Sequence, residues 1–436
     1  MTAFEIGLTG IGAFFLLLAM RVPIAIAMSI VGLIGGAAIN GWATTLFVVG
    51  DLPFAATFPY GLSVVPLFVL MGTLALHTGL SRNLYDAGSA AFGSCRGGLS
   101  MGTIAACAGF GAICGSSLAT AATMGQISIG EMRGRGYDSA LSAATVAAGG
   151  TLGVLIPPSI ILVIYAILAE QSIGRLFVAA IIPGLLATVL YMSAIWATAR
   201  LKPALFPAAA DRVPLVQRLQ LALSAWPVVV VFGVVLGGLF AGLFSPTEAA
   251  SVGVVGVTLI AALRGRLHRA AILRSARESA SLTGMIFFIL IGAALFNSFI
   301  ETTQIAQALT DWVHDSAPSR VQVILGIVVL YIVLGCFMDS VSMIFLTMPF
   351  VFPVVLSYEI DAIWFGILLL SVVEIGLITP PVGMNLFVVK GAAPDLSMRD
   401  LYRAVTPFLL ADCIRITLII LIPGLSLYLV HLMYGP

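Results

Sequence analysis

Two short segments interrupt hydrophobic stretches of the chain with residues that can bind ions. Residues 147–159 read AAGGTLGVLIPPS, and residues 374–385 read EIGLITPPVGMN. Proline breaks the helical hydrogen-bond pattern and frees carbonyl oxygens, glycine lets the backbone turn, and threonine adds a hydroxyl oxygen. Oxygens at the end of a half-helix attract a hard cation, and the N-terminus of the next half-helix attracts an anion. The two segments therefore predict two cation sites and part of a site for an anionic substrate.

Two polar turns accompany these segments, one in each half of the chain. Residues 114–125 read CGSSLATAATMG, and residues 336–349 read CFMDSVSMIFLTMP. Because backbone polar groups cannot be left bare in lipid, such a turn at membrane depth must face protein, water or an ion. We predict that each turn is the tip of a re-entrant hairpin and that each tip pairs with one of the broken helices.

The elements that position these residues are membrane helices. The 436 residues are 60% hydrophobic and 9% charged, whereas a soluble domain has about 25% charged residues. Apolar runs of roughly 17–25 residues recur, which is enough to cross a bilayer as helices. The net charge of +1 does not indicate nucleic-acid binding, and the five cysteines form no CxxC or Cys/His pattern. The composition predicts an all-α polytopic membrane protein.

The chain repeats itself at a nearly constant offset. Residues 21–32 resemble residues 244–256, IPPS at 156–159 falls on TPPV at 379–382, and Ser116 falls on Ser340. Several such matches in the same order indicate an internal duplication. The predicted parts are a first repeat (1–198), a cytoplasmic linker (199–225) and a second repeat (226–436).

Each repeat contains five predicted crossings and one hairpin. The crossings are at about 6–20, 24–40, 62–80, 139–168 and 173–198, then at 226–243, 247–263, 282–300, 362–389 and 403–430; the hairpins are 99–130 and 321–358. About ten crossings, an odd number in each half, predict that the second repeat is inverted. If both termini are periplasmic, Lys and Arg fall on the cytoplasmic side, except Arg175, Arg320 and Arg415. Segments 41–61 and 264–280 read as amphipathic helices at the interface.

Inverted repeats with interrupted helices are typical of secondary transporters. A stand-alone sodium/dicarboxylate or ion permease of the same architecture is an alternative. An intramembrane enzyme would need a catalytic pair at membrane depth. GLSMG at 98–102 fits the GxSxG pattern, but the four histidines lie at segment ends or outside them. A passive channel would need a polar lining that is not evident. Direct ATP drive is not supported, since there is no GxxxxGK[ST].

Four motifs make the sequence recognisable. They are GSSLATAATMGQISIGEMRGRGYD (115–138), AAGGTLGVLIPPS (147–159), FMDSVSMIFLTMPFVFPVV (337–355) and EIGLITPPVGMNLFV (374–388). With them, the whole chain resembles the large membrane subunit of tripartite ATP-independent periplasmic (TRAP) transporters. Gly130 is a departure, because the family usually has proline before the Glu-Met pair. It lies at the exit of the hairpin and affects no predicted ligand.

The resemblance implies an elevator-type importer, similar in fold to the ion transporter superfamily, in the bacterial inner membrane. In that family a periplasmic substrate-binding protein delivers a small organic acid, such as a C4-dicarboxylate or sialic acid, and sodium entry drives uptake. A small four-helix membrane subunit is expected as a separate polypeptide. The scaffold would be 6–80 and 226–300, and the transport domain would be the hairpins with 139–198 and 362–430.

Carried onto this sequence, the resemblance predicts two sodium sites and a substrate site. The first sodium site would comprise Ser116, Ser117, Gly149, Gly150, Thr151 and Gly153, and the second Asp339, Ser340, Gly376, Thr379 and Gly383. Thr120, Thr379 and Asn385 are the candidates for substrate contact.

Two interpretations are open for each of three charged residues. Asp339 either lies beside a cation or caps the next half-helix. Glu374 either pins the broken helix through free backbone donors or binds sodium. Arg415 either binds a substrate carboxylate bidentately or is neutralised by Asp412, three residues earlier on the same helical face.

Overall fold

The computed structural model describes residues 1–93, 95–207, 214, 216, 220, 221 and 223–435. Eleven of the 27 residues of the predicted linker, including Arg212 and Arg218, therefore lie outside the described residues. Every element in the described ranges is helical, as the composition predicted.

The helices follow the same order in the two halves. In the first half they are α1 (Ala3–Ala19), α2 (Ile24–Asn40), α3 (Trp42–Thr57), α4 (Val64–His77), α5 (Leu80–Phe92), α6 (Gly98–Cys114), α7 (Ser117–Gly134), α8 (Ser139–Leu155), α9 (Ile160–Leu168) and α10 (Ile173–Leu201). In the second half they are α11 (Trp226–Phe240), α12 (Pro246–Leu263), α13 (Arg269–Thr303), α14 (Ile305–Asp315), α15 (Arg320–Gly335), α16 (Ser340–Ser357), α17 (Ala362–Gly376), α18 (Met384–Ala392), α19 (Met398–Leu421) and α20 (Gly424–Tyr434).

The helix bounds and the sequence match differ by one residue at the turn of the hairpins. The second helices of the two hairpins, α7 and α16, are both 18 residues long and begin at Ser117 and Ser340. By helix start Ser117 corresponds to Ser340, whereas the sequence match pairs Ser116 with Ser340, just as it pairs Thr123 with Thr347. Ser116 is the N-cap before α7, so the pairing differs by one residue at the turn.

One helix replaces two predicted segments. Residues 264–280 and 282–300 read as an interfacial helix followed by a crossing, but α13 runs without a break from Arg269 to Thr303. In the first half, Pro59 separates α3 from α4. Leu282 stands at the equivalent position and does not interrupt the helical hydrogen bonds.

Both predicted breaks are present. The first lies between α8 and α9, which are bent by 44°, and the second lies between α17 and α18. Each contains a cis peptide bond, Pro157–Pro158 in one and Pro380–Pro381 in the other. In the described residues six helices are long and apolar enough to cross a membrane, or seven with the bent pair as one span. The count of about ten crossings stays a prediction.

The chain forms two compact units. The first comprises residues 1–63, 280–330 and 341–362. Its helices α1, α2 and α13 approach closely through glycine: a Cβ built on Gly32 would lie 2.6 Å from the carbonyl carbon of Leu295. Phe14 and Phe296 pack beside this contact with ring centroids 5.4 Å apart.

The second unit comprises residues 64–279, 331–340 and 363–436. It contains the first predicted tip (114–125), residues 336–340 of the second predicted tip, and both breaks. Helix α8 is buried on all sides from Leu141 to Leu155, and α17 is buried from Ile363 to Gly376. A helix that is apolar and buried all round belongs to the core. The first break also lies inside protein, since Pro157, Pro158 and Ser159 are buried, whereas Pro380 and Pro381 of the second break are exposed.

Candidate functional site

Each hairpin meets its broken helix backbone to backbone. A Cβ on Gly376 would lie 2.6 Å from the Cα of Gly335, at the end of α15. In the first half, a Cβ on Gly111 in α6 would lie 2.9 Å from the amide nitrogen of Gly153. Only glycine permits such a close approach. This glycine packing between a hairpin and a broken helix occurs in both halves.

The first tip brings four predicted sodium-site residues together. Ser116 caps α7, and its hydroxyl accepts from the amide of Ala119 at 3.4 Å. A Cβ on Gly153 would lie 2.8 Å from the carbonyl oxygen of Ser116, and a Cβ on Gly150 would lie 3.1 Å from that of Ser117. Carbonyl and hydroxyl oxygens at the start of α7 therefore face the glycines of α8.

Two other predicted members of this site face elsewhere. A Cβ on Gly149 would lie 3.0 Å from the Cβ of Cys107 in α6. The hydroxyl of Thr151 donates to the carbonyl of Ala148 at 2.7 Å and lies 2.9 Å from the hydroxyl of Tyr191. Gly149 and the side chain of Thr151 thus pack against α6 and α10, away from the tip serines.

The second tip has a similar arrangement. Gly383 has a left-handed backbone, with φ of 66°, and its amide donates to the carbonyl of Cys336 at 3.3 Å. The hydroxyl of Thr379 donates to the carbonyl of Ile375 at 2.6 Å. Asp339 is half-buried and directly precedes α16. The break is therefore tied to the tip by backbone groups.

Two predicted substrate residues lie between the breaks. Asn385 is fully buried, and its side-chain amide donates to the carbonyl of Ala147 in α8 at 3.1 Å. Among the described residues its Oδ1 has no hydrogen-bond partner. Thr120 is also fully buried, and its hydroxyl faces Gly153. Asn385 therefore connects the second broken helix to the first.

Glu374 contacts both hairpin tips, although the sequence did not place it among the residues of either predicted sodium site. It is fully buried. One carboxylate oxygen accepts the hydroxyl of Ser340 at 3.1 Å, and the other accepts the hydroxyl of Ser117. Neither predicted interpretation included these serine partners. The repeat offset was a signal that Glu374 belongs to the site. Glu374 lies at the position equivalent to Thr151, which was a predicted sodium-site residue of the first break.

A second buried network surrounds Arg415. Its Nη2 lies 2.9 Å from Oδ1 of Asp412 and donates to the carbonyl of Ser371 at 3.2 Å. Tyr191 donates to Oδ2 of Asp412 at 2.7 Å, and Thr151 extends the network to α8. The predicted neutralisation by Asp412 is confirmed. Nε and Nη1 of Arg415 have no hydrogen-bond partner in the described part of the chain, so a contact with substrate stays a prediction.

Comparison with known proteins identifies similar transporters. The family model for the "Tripartite ATP-independent periplasmic transporter, DctM component" matches residues 11–425. The C4-dicarboxylate TRAP transporter large permease protein DctM of Pseudomonas aeruginosa is 37% identical over 86% of this chain and 87% of its own length. The sialic acid TRAP transporter large permease protein SiaM of Vibrio cholerae is 30% identical over 86% of this chain and 87% of its own.

A solved structure has a similar fold. The YdaH transporter of Alcanivorax borkumensis, described as having an unusual topology, aligns with a TM-score of 0.67 over 89% of this chain and 90% of its own. At 16% sequence identity this likeness concerns the fold alone.

Proposed function

Because the chain belongs to the DctM component family of TRAP transporters, we propose that it couples the import of a small organic acid anion to sodium entry. It acts as the large permease subunit and not as an enzyme. The supporting observation is that the turns 114–117 and 336–340 of the two hairpins meet the two broken helices inside one compact unit. This arrangement supplies backbone and hydroxyl oxygens where lipid would otherwise forbid bare peptide groups.

The two sodium ions would bind at the two tips. At the first tip the oxygens come from Ser116, Ser117 and the broken end of α8. At the second they come from Ser340, Asp339 and the turn between Gly376 and Gly383. Unwound carbonyls and half-helix C-termini are typical sodium ligands in transporters. Both tips meet their breaks through paired glycines, which supports two sites of similar shape.

The substrate is a carboxylate in this proposal. Relatives of the chain are named for C4-dicarboxylate and for sialic acid. The half-helices α9 and α18 begin at the two breaks, so their N-termini favour an anion there. Thr120, Thr379 and Asn385 are the proposed polar contacts. Arg415 would contribute its unpaired nitrogens only if the substrate reaches the inner side of α19.

The proposed delivery is the one that the family resemblance implies, and the proposed orientation is the one that the distribution of Lys and Arg predicts. We propose that a periplasmic substrate-binding protein delivers the acid and that a small four-helix membrane subunit completes the permease. Both termini would be periplasmic, in the bacterial inner membrane. Movement would be of the elevator type, with the hairpins and broken helices carrying the ions and the substrate across.

The membrane potential contributes only if the coupled ions outweigh the charge of the substrate. Each net positive charge moving inward through the potential gains about 2.3 kcal/mol per 100 mV. Two sodium ions with a monoanion carry one net charge. Two sodium ions with a dianion are neutral and depend on the sodium gradient alone. Uptake of a monoanion should therefore respond to an imposed potential, whereas uptake of a dianion with two sodium ions should not.

The proposal is tested by uptake into proteoliposomes that contain the permease with its small subunit. A radiolabelled C4-dicarboxylate or sialic acid is supplied with its binding protein, under an inward sodium gradient or an equal potassium gradient. We expect uptake only with sodium and with binding protein. Equal uptake in potassium would contradict sodium coupling. Uptake by this chain alone, without binding protein, would identify a stand-alone permease instead.

A further inference from the structure

The carboxylate of Glu374 is shared by the two hairpin tips. Ser117 and Ser340 are the first residues of α7 and α16, the second helices of the two hairpins. Each donates its hydroxyl to a different oxygen of Glu374. The tips thus meet at one side chain, which lies on α17, near the break that follows it.

A charged carboxylate at this depth needs specific stabilisation. Burial of an isolated charge is costly, and the cost is reduced only by good hydrogen bonds and nearby positive charge. Here two hydroxyls donate to the carboxylate, and the N-terminus of α7 adds the positive end of a helix dipole. The two tips and Glu374 therefore stabilise one another.

The first repeat shows that this contact is not needed to form a break. Thr151 occupies the position equivalent to Glu374, and its hydroxyl contacts Tyr191. The first break nevertheless packs against its own tip with the same close glycine contacts. Glu374 thus does something that its counterpart does not: it contacts the tip of the other repeat.

We propose that Glu374 is a positioning residue that couples the two tips, so that sodium bound at one tip raises the affinity at the other. The inference rests on the proposed function, since it takes the tips as the two sodium sites. A serine hydroxyl that donates to a carboxylate keeps lone pairs for a cation. A cation at either serine strengthens that donation and fixes the carboxylate, which in turn orients the second serine.

The shared contact is tested first without sodium, by thermal unfolding of the purified chain in potassium buffer. The variants are Ser117→Ala, Ser340→Ala and their double variant, each made with Glu374 kept and with Glu374→Gln. With Glu374 kept, the double variant should lose more stability than the sum of the single variants, because the carboxylate then has neither hydroxyl donor. In the Glu374→Gln background the side chain carries no full charge, so the losses should be additive within error. Additive losses in the presence of Glu374 would overturn the shared contact.

A matched control separates this coupling from general destabilisation. Ser193 is exposed, and its hydroxyl donates to the carbonyl of Val189 within its own helix. The combination of Ser117→Ala with Ser193→Ala should be additive, as is usual for residues that share no partner.

The coupling of ions is tested by sodium titration at constant ionic strength, with stability or intrinsic fluorescence as the signal. We expect a Hill coefficient above 1 for the wild-type chain and a value of about 1 for Glu374→Gln. Coupling of the usual size would change the sodium affinity of one tip about fivefold or more when sodium binds at the other tip. Glu374→Asp keeps the charge but is one methylene shorter, so it should also lose the coupling. A merely structural role would lower stability without changing the Hill coefficient.

The outcomes separate this inference from the function on which it rests. An unchanged Hill coefficient in both Glu374 variants, with sodium still bound, would overturn the coupling and leave sodium transport intact. No effect of sodium on any variant would reject the proposed function together with the ionic coupling. In that case the sodium-free cycle would still decide whether Glu374 joins the tips.

Discussion

The two broken helices share a backbone but differ in charge. Helix α8 carries Thr151 two residues before Gly153, and α17 carries Glu374 two residues before Gly376. Both glycines pack closely on a hairpin. Thr151 makes a neutral contact with Tyr191, whereas Glu374 accepts serine hydroxyls from both tips.

The same asymmetry holds one helix further along. By the repeat offset, Arg415 in α19 lies where Tyr191 lies in α10, and Asp412 lies near the position of Thr188. The buried charges of the two networks, Glu374, Asp412 and Arg415, all belong to the second repeat. The predicted duplication would account for the shape that the two breaks share, whereas their charges differ between the two halves.

The largest expected loss of stability comes from removing one partner of the buried pair of Asp412 and Arg415. Asp412→Ala leaves Arg415 buried without its counter-ion, and the loss of one partner of a buried pair costs about 3–5 kcal/mol. Thermal or denaturant unfolding of the purified chain measures it. Replacing both partners, Asp412→Leu with Arg415→Met, should recover most of the loss. No recovery would show that the pair is not the main interaction.

An exposed pair gives the control for that experiment. Glu131 forms long ion pairs with Arg82 and Arg135 at 3.7 and 3.6 Å, all three side chains being more than a third exposed. Glu131→Ala should change the free energy of unfolding by no more than about 1 kcal/mol.

The close backbone packing that both breaks share is tested at Gly153 and Gly376. Gly376→Ala places a methyl group against the backbone of Gly335, and Gly153→Ala places one against the carbonyl of Ser116. Each should cost about 1–3 kcal/mol, with similar values because the geometry repeats. Gly391→Ala, where a Cβ meets nothing within 4 Å, should be neutral or slightly stabilising. A large cost at one break and none at the other would contradict equivalent packing.

A smaller effect is expected from Tyr191→Phe. The substitution keeps the ring and removes the hydroxyl that bridges Asp412 and Thr151. A hydrogen bond to a charged group contributes about 1.5–3 kcal/mol, so the loss should be at the lower end of that range or less. Unfolding of the variant is compared with that of Tyr428→Phe, whose ring is exposed. Equal stability of the two variants would mean that the hydroxyl of Tyr191 does not hold the network.

The smallest effect concerns a contact outside the membrane helices. Arg133, in the last turn of α7, donates to Asp395 at 3.0 Å, and this hydrogen bond lowers the pKa of Asp395. The lowered pKa contributes stability above the ordinary pKa of the carboxyl, and this contribution is lost as the pH falls through the folded value. Arg133→Gln should therefore flatten the dependence of stability on pH below about 4. An unchanged profile would contradict the contact.

The breaks could be predicted from sequence because their signals are local. Adjacent prolines and glycines within apolar runs interrupt a helix wherever they occur, and the offset between the prolines of the two halves shows the duplication. The ion pair of Asp412 and Arg415 was also predictable, since residues three apart share a helical face.

The partners of Glu374 could not be predicted in the same way. Ser117 lies 257 positions from Glu374, and no local pattern indicates that the first tip lies beside the second break. Local signals also failed at α13, where two predicted segments proved to be one helix. The orientation of the Thr151 side chain depends on Tyr191, which lies on another helix.

Binding of ²²Na⁺ to the purified chain tests the central claim, that the paired tips and breaks hold sodium, most directly. Ser116→Ala and Ser340→Ala should each shift half-saturation to higher sodium or reduce the number of ions bound, and Ser193→Ala should bind as the wild type does. Sodium binding that is the same in all four proteins would contradict the claim.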